Sequence, residues 1–122
     1  LASGIEGLTL AVVFQLAHCL EESSFPEPDE KNKMQFDWAR HQISTTVDFA
    51  PNNKLMTWYV GGLNYQVIHH LFPKISHVHY PKISKIVTEV CEEFNVPYQV
   101  HDSFRSALGS HFRHLRRLAL QN

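Results

Sequence analysis

The sequence predicts an all-α chain, on the strength of three stretches. Residues 1–20 are an almost unbroken apolar run, residues 81–95 repeat apolar side chains at helical spacing, and residues 103–122 set an apolar stripe against arginines. Apolar residues recurring at i, i+3, i+4 and i+7 share one helix face, which is the pattern a helix needs to bury one side. The 122 residues support one small domain.

The opening segment (LASGIEGLTLAVVFQLAHCL) is interrupted only by Glu6, Gln15, His18 and small polar residues. About 20 apolar residues span a bilayer as a helix, so residues 1–20 are long enough to be all or part of a membrane span. A buried helix of a water-soluble core is the alternative. Leu1 rather than Met opens the run, with no basic n-region before it and no small-residue cleavage site after it. The expectation is a piece of a longer protein without a signal peptide. Residues 21–33 (EESSFPEPDEKNK) read as a solvated loop, because so little apolar surface cannot offset the entropy of ordering.

Residues 36–49 mix apolar and polar side chains without a sustained period and predict a short helix and extended chain. Pro51-Asn52-Asn53 marks a turn. Residues 55–71 are expected to be helical across Gly61-Gly62, with Pro73 limiting the end. Pro81 suits the first turn of the next helix. In that helix Ile83, Ile86, Val87, Val90, Cys91 and Phe94 predict the buried face, and Lys82, Lys85, Glu89, Glu92 and Glu93 the solvated one. In the tail, Phe104, Leu108, Phe112, Leu115 and Leu118 oppose Arg105, Arg113, Arg116 and Arg117. That helix suits either an anionic membrane surface or simple packing of one face. The expected organisation is therefore residues 1–20, a loop with short helices over 21–54, a central segment over 55–99 and a basic tail over 100–122.

Eleven basic residues meet 12 acidic ones, for a net charge of -1, so there is no positive field of the kind that nucleic acid binding requires. Cys19 and Cys91 fit neither a disulfide scaffold nor a zinc finger and read as reduced thiols of a cytosolic setting. No G-x-S-x-G, P-loop, dinucleotide-binding fingerprint or H-E-x-x-H is present. Nine histidines are many for this length, and they carry the functional question.

The densest group lies in GGLNYQVIHHLFP, residues 61–73. On a helix Gln66, His69 and His70 share a side, while adjacent histidines diverge by about 100° and so suit two neighbouring ions better than one. Imidazole accepts iron, zinc or copper. From the residues alone, metal ligation and a packing role both remain open for this pair. His18, near the end of an apolar helix, needs a partner, either a hydrogen bond or a metal. His77 and His79 would share a face if extended and are read as contacting water, backbone or phosphate. His111 and His114 read as a solvated face, and His41 and His101 carry no specific role.

The stretch GGLNYQVIHHLFPKISHVHYPKIS resembles the third histidine box of the membrane fatty acid desaturases, and Q-x-x-H-H followed by L-F-P resembles the front-end subgroup in particular. It is similar to bacterial linoleoyl-CoA and acyl-lipid desaturases over about residues 10–99. The resemblance implies a helical integral-membrane enzyme, of which this chain is the C-terminal part: the end of the last transmembrane helix and a cytosolic helical cap. It implies two non-haem irons on the cytosolic face, with O2 as co-substrate. His69 and His70 match the ligand pair of the box, Gln66 stands where the wider family has a further histidine, and His18 matches the histidine at the end of the last membrane helix. The implied partners are a fatty acyl-CoA or acyl-lipid substrate, membrane lipid, and cytochrome b5 or ferredoxin as electron donor. Two earlier boxes, H-x3–4-H and H-x2–3-H-H, are missing here, and His111-Phe112-Arg113-His114 does not replace them. The isolated chain is therefore expected to bind iron weakly and to be inactive. Rival readings are an acyl or sphingolipid hydroxylase on the same scaffold, a zinc-binding membrane-surface adaptor built on His69, His70, His77 and His79, and a helical packing module without chemistry.

Overall fold

A computed structural model describes residues 2–23 and 26–120. Leu1, Ser24, Phe25, Gln121 and Asn122, which the predicted terminal segments and charged loop include, lie outside the described residues. Helix α1 is Ala2–His18; its 17 residues rise only about 25 Å. Among the described residues no helix is long and apolar enough to cross a membrane. Val13, Leu16, Ala17 and the following Leu20 are buried, whereas Ile5, Leu8, Leu10 and Phe14 are exposed.

Helix α2 (Trp38–Thr45) starts where Asp37 accepts a hydrogen bond from the Arg40 N–H at 2.9 Å, one of the donors a helix start leaves unpaired. The extended chain expected after it is strand β1 (Asp48–Phe49). It pairs in parallel with β2 (Val100–His101), Asp48 opposite Val100 and Phe49 opposite His101. The mostly helical chain thus carries a small sheet that the all-α expectation lacked. Two-residue strands hold no alternation to read, so only their partner across the fold defines them.

The single helix expected over residues 55–71 is two helices. Asn53 caps α3 (Lys54–Tyr59) by accepting from the Met56 N–H at 3.0 Å, and α4 (Gln66–Leu71) follows a break. Gly61 and Gly62 make that break, with φ of +61° and +80°, a left-handed geometry that no helix interior adopts. His77–His79 is a 3-10 turn rather than extended chain. It leads into α5 (Tyr80–Glu93) with Pro81 in the first turn, and α6 (Phe104–Leu120) ends the described chain.

Three apolar clusters hold these pieces. Leu16, Leu20, Val47, Phe49 and Ala107 join α1, β1 and α6, with the Phe49 and Phe104 rings edge to face at 6.3 Å. Ile43, Val67 and Cys91 join α2, α4 and α5. Tyr65, Ile68 and Tyr80 close the third. Helix α4 is gripped from two sides, since Val67 and Ile68 belong to different clusters. On α5 and α6 the apolar stripes are only half used: Ile86, Val90, Phe94, Phe112, Leu115 and Leu118 stay exposed, and Tyr80, Cys91, Ala107 and Ser110 are the buried positions.

Polar bonds explain the seating of α6. Ser110 Oγ accepts from the Glu21 N–H at 3.2 Å and donates to Glu22 Oε2 at 2.5 Å. His111 Nδ1 donates to the Cys19 carbonyl at 2.7 Å, and Arg113 and Arg117 pair with Glu21. His101 bridges Ser106 and Glu22. His101 and His111 are thus parts of a clamp, not the idle or solvated groups the sequence suggested. Both cysteines are free, as expected.

Gly62 is held at a tighter constraint than its turn alone, because a Cβ there would lie 2.5 Å from His77 Cβ. Gly62→Ala in the intact protein is expected to cost about 2–3 kcal/mol, from strained φ plus displaced packing. A thermal melt checks it, with Gly61→Ala as a control for φ alone, since nothing lies within 4 Å of a Cβ at Gly61.

Candidate metal centre

The short helix α4 presents Gln66, His69 and His70, and the end of α1 presents His18. Gln66 is buried, and its amide Nε2 lies 3.3 Å from both His18 Nε2 and His70 Nε2. The His18 and His70 rings are edge to face at 5.1 Å. His69 diverges, its ring 6.0 Å from that of His70, as neighbours on a helix must. The structure therefore gathers His18, Gln66 and His70 tightly and sets His69 beside them, turned toward α5.

Each imidazole is anchored on the outside. His70 Nδ1 donates to Gln42 Oε1 at 2.7 Å. A carbonyl oxygen can only accept, so the proton sits on Nδ1 and the Nε2 lone pair faces inward. His69 Nδ1 is hydrogen-bonded to the Tyr80 hydroxyl at 3.2 Å, and His18 to the Thr45 backbone. Burial, then the neighbouring His18 and His69, hold the His70 pKa below the ordinary imidazole range, which keeps the ring neutral and able to donate a lone pair.

Asp48 orients the helix that carries three of these side chains. It is fully buried, and its Oδ1 accepts from the Val67 N–H at 2.9 Å while the Gln66 N–H also points to the carboxylate. Tyr98 donates its hydroxyl to Oδ2 at 2.5 Å. Burial outweighs these bonds and pushes Asp48 up to about 7. It pushes the Tyr98 hydroxyl up too, aided by the Asp48 charge.

Gln66 Oε1 is buried without a hydrogen-bond partner. An amide that places its nitrogen between two imidazoles and leaves its carbonyl bare keeps lone pairs that the fold does not use. Imidazoles with outer hydrogen bonds and inward lone pairs are the chemistry of a metal site. The set fits part of such a site: among the described residues no group of three or more His, Cys, Asp or Glu is close enough to hold an ion alone. That geometry gives the zinc adaptor no support, and the exposed His77 and His79 stand apart.

Sequence reasoning missed the supporting residues Gln42, Thr45, Asp48, Tyr80 and Tyr98. Gln42 and Thr45 lie in the stretch without period. Asp48 is 19 residues from Val67 and 50 from Tyr98 in the chain, a separation no local pattern encodes.

The family model for fatty acid desaturase matches residues 4–102. The chain belongs to the fatty acid desaturase family. It is 53% identical to the sn-1 linoleoyl-lipid 6-desaturase of Arthrospira platensis over 93% of its length, covering 31% of that protein. It is 46% identical to the enzyme of the same name from Synechocystis, over 89% of its length and 31% of that protein. It is also 46% identical to the acyl-lipid (8-3)-desaturase of Mortierella alpina, over 98% of its length and 27% of that protein. The chain thus spans under a third of the length of these curated relatives. No solved structure matches it. The desaturase family is membrane-associated and generally uses two non-haem irons.

Asp48 gives a signed pH test. Its folded pKa of about 7 lies above the ordinary 3.8, so the folded state holds the extra proton between those values. Its contribution is full below about pH 4 and is lost as pH rises through 7. Asp48→Asn is expected to flatten the fall in melting temperature between pH 5 and 7.5 relative to wild type. Asp48→Ala strands two backbone donors and Tyr98, and is expected to cost about 2–5 kcal/mol at either pH.

Proposed function

We propose that this chain carries the third histidine box of an oxygen-dependent desaturase of the front-end type, which introduces a double bond into a fatty acyl chain of a lipid. The observation that carries the reading is the Gln66 amide between His18 Nε2 and His70 Nε2, with its carbonyl buried and unpaired. The Q-x-x-H-H spacing and the relatives support it. Their names specify lipid-linked acyl substrates, which favours an acyl lipid over an acyl-CoA here.

In this reading His18, His69, His70 and Gln66 are iron ligands, with the remaining ligands supplied by histidines outside this chain. When bound, the two irons with O2 supply the oxidising power to remove hydrogen from an unactivated methylene, which no side chain provides. The chain's own residues hold that centre in place. Gln42 fixes the His70 tautomer, Thr45 and Tyr80 anchor His18 and His69, and Asp48 fixes the start of α4. Val67 and Ile68, both fully buried, keep water from the inner side of the helix. Two electrons come from a cytochrome b5 or ferredoxin partner.

The same reading divides the chain into the end of a membrane helix over residues 1–20, loop and short helices over 21–54, the box and a cap helix over 55–99, and a basic tail over 100–122. It places the metal centre on the cytosolic face. The exposed Ile5, Leu8 and Phe14 of α1 are then surfaces for lipid or for further helices.

Expression of the intact protein in a host fed linoleate, with chromatography of the fatty acyl methyl esters, tests the proposal. A new double bond is expected. His70→Ala is expected to lower product by about 100-fold or more and to lower bound iron. Gln42→Ala, which touches only the outer nitrogen of His70, is expected to cost about 10–100-fold. Full activity in His69→Ala and His70→Ala would sink the reading.

A further inference from the structure

Charge is unevenly spread along this near-neutral chain. From Phe49 to Thr88 the sequence holds Lys54, Lys74, Lys82 and Lys85 and not one Asp or Glu. All four lysines are exposed. Among the described residues none of them is in an ion pair: the three pairs found join His101, Arg113 and Arg117 to Glu22 and Glu21. Lys82 moreover sits in the first turn of α5, where the helix dipole repels cations, with Lys85 in the turn that follows. Such an arrangement is unfavourable for the fold by itself and favourable toward an anion.

The surface there is concave. A cavity of about 410 Å³ runs between α3, the 3-10 turn and the start of α5, with Lys54, His77 and Lys85 on its walls beside Trp58, Val78 and Tyr65. Gly62 lets His77 form that wall, since its missing side chain is what allows His77 Cβ so close. A second hollow of about 530 Å³ continues past Tyr65 and Lys85 toward Glu89 and Glu92, so the cations gather at one end and the carboxylates at the other. The cationic end has an apolar rim: Leu55, Trp58 and Val78 are 73%, 76% and 65% exposed. Lysines beside exposed aromatic and aliphatic groups suit the headgroup layer of a membrane, where the rim enters the acyl boundary and the cations meet phosphate.

We propose that this trough binds the phosphate of a phosphoglycerolipid headgroup, so that the acyl lipid acted on is a phospholipid held by Lys54, His77 and Lys85. The proposal rests on the desaturase reading for its substrate, and the trough adds the headgroup class. Tyr65 links the two regions: it lines the trough and immediately precedes Gln66. Charge complementarity selects phosphate over an uncharged sugar headgroup, and the apolar rim selects a lipid over a soluble phosphate.

The test uses the intact protein in neutral detergent and native mass spectrometry with dioctanoyl phosphatidylglycerol. Lys54→Gln with Lys85→Gln is expected to weaken binding roughly tenfold or more, with melting temperature and iron content unchanged because both side chains are exposed. Dioctanoylglycerol, which lacks phosphate, is expected to bind wild type and variant alike, and neither coenzyme A nor inorganic phosphate is expected to displace the lipid. Equal affinity of wild type and double variant for the phospholipid overturns the proposal, as does displacement by coenzyme A or phosphate at similar concentration. Product analysis of the wild type runs alongside. Lysine-dependent lipid binding without a new double bond supports the trough and removes the desaturase reading, whereas a new double bond with lysine-independent binding does the reverse.

Discussion

The arrangement of the histidine cluster depends on one buried carboxylate. Helix α4 is six residues long, well below the length at which a helix is stable alone, yet it carries Gln66, His69 and His70. Asp48 meets its first N–H groups from below, in the role an N-cap side chain usually plays from within the helix itself. Here the cap comes from a strand. Pairing of β1 with β2 fixes where Asp48 stands, and Tyr98, two residues before β2, completes the carboxylate's bonds. This two-stranded sheet thereby sets the direction of the helix that carries Gln66, His69 and His70.

This division also explains what could be read in advance. Helices α5 and α6 were legible because Pro81 and the 3.6-residue repeats are local, and the Q-x-x-H-H spacing was legible because it lies within two turns. The break at Gly61-Gly62 was less so: two glycines lower helix stability without forbidding it, and the decisive fact, His77 against Gly62, is a contact across the fold. The same holds for β1, β2, Asp48 and Gln42. That His18 lies near Gln66 and His70 follows in sequence only from family resemblance, and its structural basis is the packing of α1 on β1 through Leu16, Leu20, Val47 and Phe49.

The amphipathic stripes misled in a specific way. Periodicity located the apolar faces of α5 and α6 but not which part of each face is covered. Helix α6 approaches α1 through Ala107 and Ser110, both fully buried, because small side chains let the backbones come close enough for Ser110 and His111 to reach Glu22 and the Cys19 carbonyl. Phe112, Leu115 and Leu118 are left outside that seam. The outward residues of α1, Ile5, Leu8, Leu10 and Phe14, are exposed as well. On the proposed reading, lipid and further chain meet these side chains.

Glutamine at position 66 suits this geometry. With the His70 proton fixed on Nδ1 by Gln42, and His18 donating to the Thr45 backbone, two inward lone pairs converge on one point and need two donors. The amide supplies both from a single nitrogen and retains a carbonyl that is buried and unspent. A neutral histidine there has one N–H and could satisfy one ring only, leaving the other lone pair buried and unpaired at a cost of about 1–3 kcal/mol. An apolar residue would strand both. Gln66 therefore bridges His18 and His70, with its amide nitrogen 3.3 Å from each ring. The carbonyl oxygen then remains buried with its lone pairs unshared.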